Sequence, residues 1–322
     1  MVLWGSWLRK FSRVLVTGGA GFIGSHLVRQ LLKEDYNVVV LDNFCFGKIE
    51  NIRDCLNDER FEVIKGDVRN KKFVSKALEN VEAVVHLAAL VNVEESVNNP
   101  LETRKVNVSG IVNLLHEAVK KGIDKFVFGS SAAVYGEDGR LLLKEDGSLK
   151  PVSPYAASKA AAENYCRAFQ SSYGFPTVIL RYFNVYGFRR DLDSYSGVIT
   201  TFLNNALNDK PLVIFGDGEQ TRDFIYVKDV VNATVLALEN NRSNGKILNV
   251  CTGNPTSIRG LAQTLLEITG RNLEVIHDKP RKGDIYLNYG DPTKAEKIIG
   301  FRNRIGLKEG LRRIFISMQA AL

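Results

Sequence analysis

The chain has 322 residues, of which 45% are hydrophobic and 25% are charged, and its formal net charge is +7. This composition can bury a large core in one or two domains and excludes an intrinsically disordered chain. No apolar run approaches the roughly 20 residues that span a bilayer, and residues 1–13 lack the apolar stretch and cleavage site of a signal peptide. We therefore expect a soluble protein without a membrane span.

The charge pattern and the cysteines narrow the kinds of partner. Basic residues are spread along the chain, with no run longer than short pairs such as Arg189-Arg190. No nucleic-acid motif is present, so the positive charge favours a phosphate-bearing small molecule over nucleic acid. The four cysteines show no C-x-x-C spacing and no neighbouring histidine cluster, which argues against a disulfide framework and a metal site. We expect a cytoplasmic protein that binds no metal.

The first half of the chain alternates short, β-branched apolar runs with segments of helical periodicity. Strands that are apolar on both faces and separated by helices indicate a parallel sheet covered on both sides. The sequence therefore predicts an α/β fold, a doubly wound parallel (Rossmann) sheet with a smaller α/β domain. The predicted elements are a helix at Ser25–Lys33 and strands at Val14–Val16, Asn37–Leu41, Glu62–Lys65, Ala83–Leu87 and Lys125–Phe128.

Two helices are predicted between the later strands, at Leu101–Lys121 and Pro154–Tyr173. The second has Ser153 in position to cap it, a proline in its first turn and many alanines, all of which suit a helix. Small residues allow another backbone to approach closely. Such helix pairs make either a tight internal contact or a homodimer interface, and the sequence leaves both open.

After the strand Thr177–Tyr182 the alternation loosens, and the two domains interleave. The later elements resembling the sheet domain fall within residues 223–252, so that domain is predicted at 12–183 with 223–252 returning to it. Residues 184–222 and 253–322 are assigned to the smaller domain, which we expect to bind the substrate. The elements predicted here are Val198–Leu207 (helix), Leu212–Phe215 (strand), Asp223–Val227 (strand), Asp229–Leu238 (helix) and Lys246–Val250 (strand).

A glycine-rich turn, Gly18-x-x-Gly21-x-x-Gly24, directly follows the first strand and precedes an amphipathic helix. In this context one glycine tolerates positive φ, one lets the backbone approach a pyrophosphate, and one lets the helix pack on the strand. The N–H groups at the helix N-terminus then face the phosphates. The motif predicts a dinucleotide site, and a purely structural turn is the alternative.

Asp42 ends the next strand, where a carboxylate accepts hydrogen bonds from the adenosine ribose. A carboxylate at this position would repel a 2′-phosphate, so the sequence favours NAD over NADP. Asp67 follows the third strand and could meet the adenine, although an ordinary strand-end turn explains that residue almost as well.

Tyr155 and Lys159 are four residues apart on the second long helix and therefore share a face. An ammonium group beside the phenol lowers the phenol pKa from about 10, and the phenolate can then take a proton from an alcohol. The same spacing on a solvated face would mean only a tyrosine beside a snorkelling lysine. The pair gains weight from Ser130 and Ser131, which lie at the carboxyl end of a predicted strand, where doubly wound sheets bind ligands.

Further motifs follow in chain order, nearly from end to end of the chain: Thr17–Leu27, Leu41–Asn43, Gly66–Val68, His86–Ala89, Asn107–Gly110, Ser130–Gly136, Tyr155–Lys159 and Arg181–Asn184. Together they resemble the extended short-chain dehydrogenase/reductase family. Within it, Phe215–Gly218, Arg222–Ile225 and Pro280–Asp284 resemble the UDP-binding segments of the UDP-hexose 4-epimerases.

The resemblance implies that Tyr155 is the catalytic base, Lys159 its electrostatic partner and Ser131 the hydrogen-bonding serine. It implies that NAD is contacted by Gly18, Gly21, Phe22, Ile23, Gly24, Asp42, Asn43, Asp67, Val68, Leu87, Ala88, Asn107, Tyr155, Lys159 and Tyr182. For the UDP-sugar it implies Ser131, Tyr155, Asn184, the backbone around Val198 and Val213, Arg222, Arg281, Asp284 and Asn288.

The two residues after Ser131 distinguish the subfamilies. Related 4,6-dehydratases and decarboxylases carry acidic residues there, whereas Ala132 and Ala133 can be neither acid nor base. The resemblance therefore implies NAD-dependent epimerisation at carbon 4 of UDP-galactose and UDP-glucose through a transient 4-keto sugar. Asn288 stands where the room around the sugar 2-substituent is set, and its intermediate size predicts that N-acetylhexosamines enter too. Val91 replaces a lysine found in some relatives.

Two alternatives stay open. The enzyme could be a UDP-glucuronate 4-epimerase or another NAD-dependent sugar-nucleotide epimerase. A dinucleotide-sensing binding protein would keep the glycine turn but would not need Ser131, Tyr155 and Lys159 together.

Overall fold

A computed structural model of the chain describes residues 11–136, 142–188, 197–280 and 289–320. These residues form three sheets. Their strands are β1 (Arg13–Thr17), β2 (Asn37–Asp42), β3 (Phe61–Lys65), β4 (Ala83–His86), β5 (Lys125–Ser131), β6 (Thr177–Tyr182), β7 (Asn184–Tyr186), β8 (Leu212–Phe215), β9 (Thr221–Tyr226), β10 (Ile247–Val250), β11 (Pro255–Ser257) and β12 (Val275–Asp278).

The helices lie between these strands. They are α1 (Phe22–Lys33), α2 (Lys71–Ala77), α3 (Val93–Asn98), α4 (Pro100–Arg104), α5 (Gly110–Lys120), α6 (Pro154–Tyr173), α7 (Val198–Leu207), α8 (Val227–Glu239), α9 (Ile258–Thr269), α10 (Thr293–Ile299) and α11 (Leu307–Gln319). In the part of the chain that the structure describes, no helix combines the length and the apolar character required to cross a membrane.

The large sheet has seven parallel strands in the order β3-β2-β1-β4-β5-β6-β10. The chain runs outward from β1 to β3 and then returns to place β4 on the other side of β1. This reversal opens a crevice at the carboxyl ends of β1 and β4, which is where doubly wound sheets bind ligands. The predicted doubly wound fold is confirmed.

The side chains of the large sheet alternate between two separate hydrophobic cores, one on each face of the sheet. Val14 and Val16 pack with α1 and α8 on one face, whereas Leu15 packs with α2, α5 and α6 on the other. These strand residues are fully buried, which explains why the strands are apolar on both faces rather than alternating.

The helix predicted at Leu101–Lys121 is not a single regular helix. It consists of α4, a π-helical turn at Lys105–Ser109 and α5. In contrast, α6 has the predicted bounds: Ser153 accepts the Ala156 N–H at 3.1 Å at its start, and Gly174, with φ of 63°, ends it.

The smaller part of the molecule contains two small sheets. In one, β9 pairs with β7 and β11, and in the other β8 pairs with β12. The strand predicted at Asp223–Val227 therefore forms, as β9, but it joins a small sheet and not the large one. The helix and strand after it do return: α8 packs on α1, and β10 extends the large sheet beside β6.

Candidate active site

A cleft of about 1730 Å³ lies at the carboxyl ends of the large-sheet strands and extends to the small sheets. Small-molecule sites commonly measure about 300–1000 Å³, so this cleft has room for two ligands side by side. Most of the predicted site residues line it: Gly18, Gly21, Phe22, Ile23, Gly24, Asp42, Asn43, Asp67, Val68, Leu87, Ala88, Ser131, Tyr155, Lys159, Tyr182, Asn184, Val198, Val213 and Arg222. The predicted residues Arg281, Asp284 and Asn288 lie outside the described residues.

The glycine turn is too tight for side chains at two positions. Gly18 has φ of 70°, and a Cβ there would lie 2.7 Å from the Ala88 nitrogen. A Cβ on Gly24 would lie 2.1 Å from the Gly18 oxygen. At Gly21 the nearest atom to an added Cβ is that same oxygen at 3.2 Å, and no side chain caps α1. The turn therefore exposes backbone and a helix N-terminus to the cleft, as a pyrophosphate requires.

Asp42 is fixed at the end of β2 by two backbone donors. Its Oδ2 accepts the Ala20 N–H at 3.0 Å, and its Oδ1 accepts the Phe44 N–H at 2.9 Å. Burial raises the pKa of Asp42, and these two N–H groups oppose that rise. A carboxylate oxygen can accept a second hydrogen bond, so Asp42 can still bind ribose hydroxyls at the cleft. The cradle formed by this residue and the glycine turn fits NAD.

Asp67 and Asn43 meet at the neighbouring corner of the cleft. Asn43 Nδ2 donates to Asp67 Oδ2 at 2.8 Å, and Arg69 forms an ion pair with the same carboxylate at 2.8 Å. The Arg69 guanidinium lowers the pKa of Asp67 to about 2. Asp67 is therefore ionised at neutral pH, and the Arg69 guanidinium balances its charge.

Asn107 lies behind the cleft wall rather than on it. The π-helical turn holds it in a buried position, where its Nδ2 donates to Leu90 O at 2.9 Å and to Ser158 Oγ at 2.9 Å. Its Oδ1 accepts the Leu90 N–H at 2.8 Å. The residue reaches the cleft only through the Leu90 segment, which it fixes.

Tyr155 is nearly buried in the first turn of α6. Its backbone N–H donates to Ser96 Oγ at 3.1 Å, and its carbonyl oxygen accepts from Ser158 Oγ at 2.7 Å. Because Ser96 belongs to α3, this contact ties the start of α6 to the segment after β4. The tyrosine is therefore held from both sides at the cleft wall.

Lys159 lies one turn further along α6 and is almost completely buried. Its Nζ donates to Gly129 O at 2.8 Å and lies 4.9 Å from the centre of the Phe128 ring. Burial lowers the pKa of Lys159 to about 8, and the Glu163 carboxylate opposes that shift. Its proton is thus held less firmly than that of an exposed lysine.

Ser131 ends β5 at the cleft, and its Oγ accepts the Ala133 N–H at 3.2 Å. The short 3-10 turn Ala132–Tyr135 follows. Ala132 and Ala133 both line the cleft beside the serine. No ionisable side chain stands at these two positions.

Among the described residues, the wall toward the small sheets holds two of the polar residues that are predicted to bind UDP, Asn184 and Arg222. Asn184 Nδ2 donates to Asp223 O at 3.3 Å, and Arg222 Nη1 donates to Thr221 O at 2.8 Å. Tyr182 lines the cleft, but its hydroxyl turns into the core and bonds Thr234 Oγ1 at 2.9 Å.

Several residues that line this cleft were not predicted from the sequence: Arg29, Phe46, Asn92, Glu94, Phe183, Phe188, Thr201 and Gln220. Below the cleft lies a second unpredicted feature, the buried ion pair of Glu163 and Arg181. The sequence signal for this ion pair was a charged residue, Arg181, within the otherwise apolar strand Thr177–Tyr182.

Comparisons with known proteins agree on one family. Residues 14–251 match the model of the NAD dependent epimerase/dehydratase family. A protein of Methanocaldococcus jannaschii, provisionally named a UDP-glucose 4-epimerase, is 43% identical over 303 residues, covering 94% of this chain and 96% of that protein.

Two solved structures match over almost the whole chain. The UDP-glucose 4-epimerase of Thermotoga maritima with UDP-glucose has a TM-score of 0.90 at 36% identity and covers 96% of this chain and 99% of its own. The UDP-N-acetylglucosamine 4-epimerase of Methanobrevibacter ruminantium in complex with UDP-N-acetylmuramic acid has a TM-score of 0.92 at 38% identity. That match covers 97% of this chain and 100% of the other.

Proposed function

The chain belongs to the NAD-dependent epimerase/dehydratase family, and we propose that it interconverts the carbon-4 epimers of a UDP-hexose. One observation carries this choice within the family: Ser131, Tyr155 and Lys159 share the cleft wall with Ala132 and Ala133. The wall therefore offers a base for a hydroxyl but no acid or base at the two positions after the serine. Oxidation and reduction at one carbon needs only the former.

We assign Tyr155 as the base that removes the proton of the sugar 4-hydroxyl. The Lys159 ammonium stabilises the phenolate that takes it, and burial of both groups strengthens this attraction. Ser131 Oγ accepts the Ala133 N–H, so its own O–H can donate to the sugar 4-oxygen. When bound, NAD would supply the hydride acceptor for carbon 4 and the hydride donor for the return to the opposite face.

The two ends of the substrate are held differently. Arg222 and Asn184 are assigned to the UDP end, where a guanidinium suits a pyrophosphate. Val198 and Val213 supply apolar walls there. The 4-keto sugar must turn about its pyrophosphate link to present its other face, so the cleft must hold the sugar itself more loosely than the nucleotide.

For the substrate we propose UDP-galactose and UDP-glucose, together with the N-acetylhexosamine pair. Support comes from the relatives, whose names include UDP-glucose and UDP-N-acetylglucosamine 4-epimerases. The intermediate size of Asn288 is the sequence feature behind the broader range. A strict preference for UDP-glucuronate would instead favour the uronate alternative.

The experiment is to incubate the protein separately with UDP-glucose, UDP-N-acetylglucosamine and UDP-glucuronate and to identify the products by NMR. We expect the 4-epimers of the first two, reaching the same ratio when the reaction starts from either epimer. Conversion of UDP-glucose without conversion of the N-acetyl sugar would contradict the assignment of Asn288. Failure to convert any of the three would overturn the proposed function.

The homodimer and the cytoplasmic location belong to the same proposal. Leu101 on α4 and Tyr165 on α6 are 69% and 42% exposed, so both predicted interface helices carry exposed apolar or aromatic surface. All four cysteines are unpaired, which suits a reducing compartment. Sedimentation at micromolar concentration tests the dimer, and a mass corresponding to one 35.9 kDa chain would refute it.

A further inference from the structure

A carboxylate that does not reach the cleft lies directly behind it. Glu163 is 1% exposed and accepts three hydrogen bonds. Ser130 Oγ donates at 2.6 Å, Arg181 Nε at 3.0 Å and Arg181 Nη2 at 2.7 Å. Charged side chains are rarely buried so completely unless they are paired.

This carboxylate joins the two elements that carry the proposed catalytic groups. Tyr155, Lys159 and Glu163 follow one another at intervals of four residues on α6 and therefore share a face. Ser130 directly precedes Ser131 at the end of β5 and pairs in register with Arg181 of β6. A shift of α6 along β5 would break the Ser130–Glu163 bond.

The arginine extends the connection past the serine. Its guanidinium carbon lies 4.6 Å from the centre of the Tyr135 ring. Tyr135 closes the 3-10 turn after Ser131, and its hydroxyl donates to Asn249 Oδ1 at 2.6 Å. The strand end carrying Ser131 is thus fixed on both sides of that residue.

The same carboxylate carries a negative charge one helical turn beyond Lys159 on α6. The other groups that face Lys159 are the Tyr155 phenol and the Cys166 thiol on α6, His86 on β4, and the Gly129 carbonyl and Phe128 ring on β5. Burial lowers the pKa of His86 to about 3, so it is neutral near pH 7. Glu163 is the strongest of the influences that raise the pKa of Lys159.

We propose that Glu163 is a positioning residue for the epimerisation: it locks α6 against the end of β5 and keeps Lys159 in its ammonium form. This proposal rests on the proposed function. If the buried ion pair contributed to stability alone, burial alone would set the pKa of Lys159. Glu163 instead binds Ser130 and Arg181, and it also contributes to the electrostatic field at Lys159.

The test uses Glu163→Gln, which keeps the shape but removes the charge. Because this change leaves Arg181 buried without its carboxylate, the double variant Glu163→Gln/Arg181→Met is made alongside it. The matched control is Glu267→Gln, at an exposed residue that pairs with Lys308. The readout is an NMR titration of the Lys159 Cε in protein labelled with ¹³C-lysine, assigned by the loss of its signal in Lys159→Met.

We expect the Lys159 midpoint to fall by about 1 pH unit in Glu163→Gln and not to move in the control. In the double variant the midpoint should fall by less, because loss of the Arg181 charge offsets part of the shift. The alkaline limb of kcat should move in the same direction, with KM for the UDP-sugar changed less than about twofold. The Ser130→Ala variant, which keeps both charges, should lower kcat without moving the Lys159 midpoint.

An unchanged midpoint in a folded Glu163 variant would overturn the electrostatic role, and unchanged kcat in Ser130→Ala would overturn the positioning role. Absence of epimerisation by the unmodified protein would instead count against the proposed function, and the NMR titration would still report on Lys159.

Discussion

Asn107 holds Leu90 by both of its backbone groups: the Oδ1 accepts the Leu90 N–H at 2.8 Å, and the Nδ2 donates to the Leu90 carbonyl at 2.9 Å. The π-helical turn at Lys105–Ser109 makes this possible, because it interrupts a regular helix next to the segment after β4. π-Helical turns within α-helices are often found at functional sites. Here the turn shapes one wall of the cleft from behind.

Replacing Asn107 with Ala leaves the Leu90 backbone groups and Ser158 without these bonds. We expect a loss of about 1–3 kcal/mol in the free energy of unfolding, measured by urea denaturation, because buried polar groups lose their partner. Because Leu90 lines the cleft, retention of NAD through gel filtration should also fall. The exposed Asn208, changed to Ala, should alter stability by less than about 0.5 kcal/mol.

A substitution at Gly24 tests whether the glycine turn binds the phosphates of NAD. An added Cβ would lie 2.1 Å from the Gly18 oxygen, and backbone cannot move aside as a flexible side chain can. Gly24→Ala should therefore cost about 3 kcal/mol and abolish NAD binding. Gly306→Ala is the control, since a Cβ there meets nothing within 4 Å. Normal NAD content in purified Gly24→Ala would contradict the assignment of this turn.

Tyr155→Phe removes the proposed base and little else. We expect kcat to fall by about 10²–10⁴-fold, the usual contribution of general acid–base catalysis, with NAD still bound. Tyr165→Phe changes a half-exposed tyrosine on the same helix and should keep full activity. Near-normal turnover by the Tyr155 variant, in the assay used for the substrates, would count against its role.

His86 makes the stability depend on pH. Burial, followed by the charge of Lys159, lowers its pKa in the folded protein to about 3, against about 6.5 in an unfolded chain. Between these values the unfolded chain binds more protons, so stability falls as the pH falls below about 6.5.

From pH 7 to pH 5 this one residue should cost about 2 kcal/mol. Urea denaturation at the two pH values measures the loss, and His86→Asn should lack that part of it. The exposed His116, changed to Asn, should behave as the unmodified protein does. Equal pH dependence in His86→Asn would show that the buried imidazole does not carry the effect.

The large sheet could be predicted from the sequence because each of its strands is short, apolar and bounded by a turn. The start of α6 followed from Ser153 and Pro154, and its helical character from the alanines that come after them. The sheet to which β9 belongs could not be predicted, since its apolar residues suit either sheet. The π-helical turn likewise had no signal, because Lys105–Ser109 continues the helical pattern on both sides.

Within the site, the glycine turn and the pair Tyr155 and Lys159 were recognisable because their spacing came with its context. The glycines lie between a strand and a helix, and the pair is accompanied by Ser130 and Ser131 at a strand end. Glu163 and Arg181 were not assigned, although each is a charge at a position that the pattern predicts to be buried. Their partnership depends on how α6 crosses β5 and β6, which only the folded structure shows.

The central claim is that carbon 4 loses its hydrogen as a hydride and recovers the same hydrogen on the other face. The most direct measurement follows UDP-galactose carrying deuterium at carbon 4, incubated with the enzyme in ordinary water and analysed by NMR. We expect UDP-glucose that retains the deuterium at carbon 4. Exchange of that deuterium with solvent, or the absence of any product, would contradict the proposed mechanism.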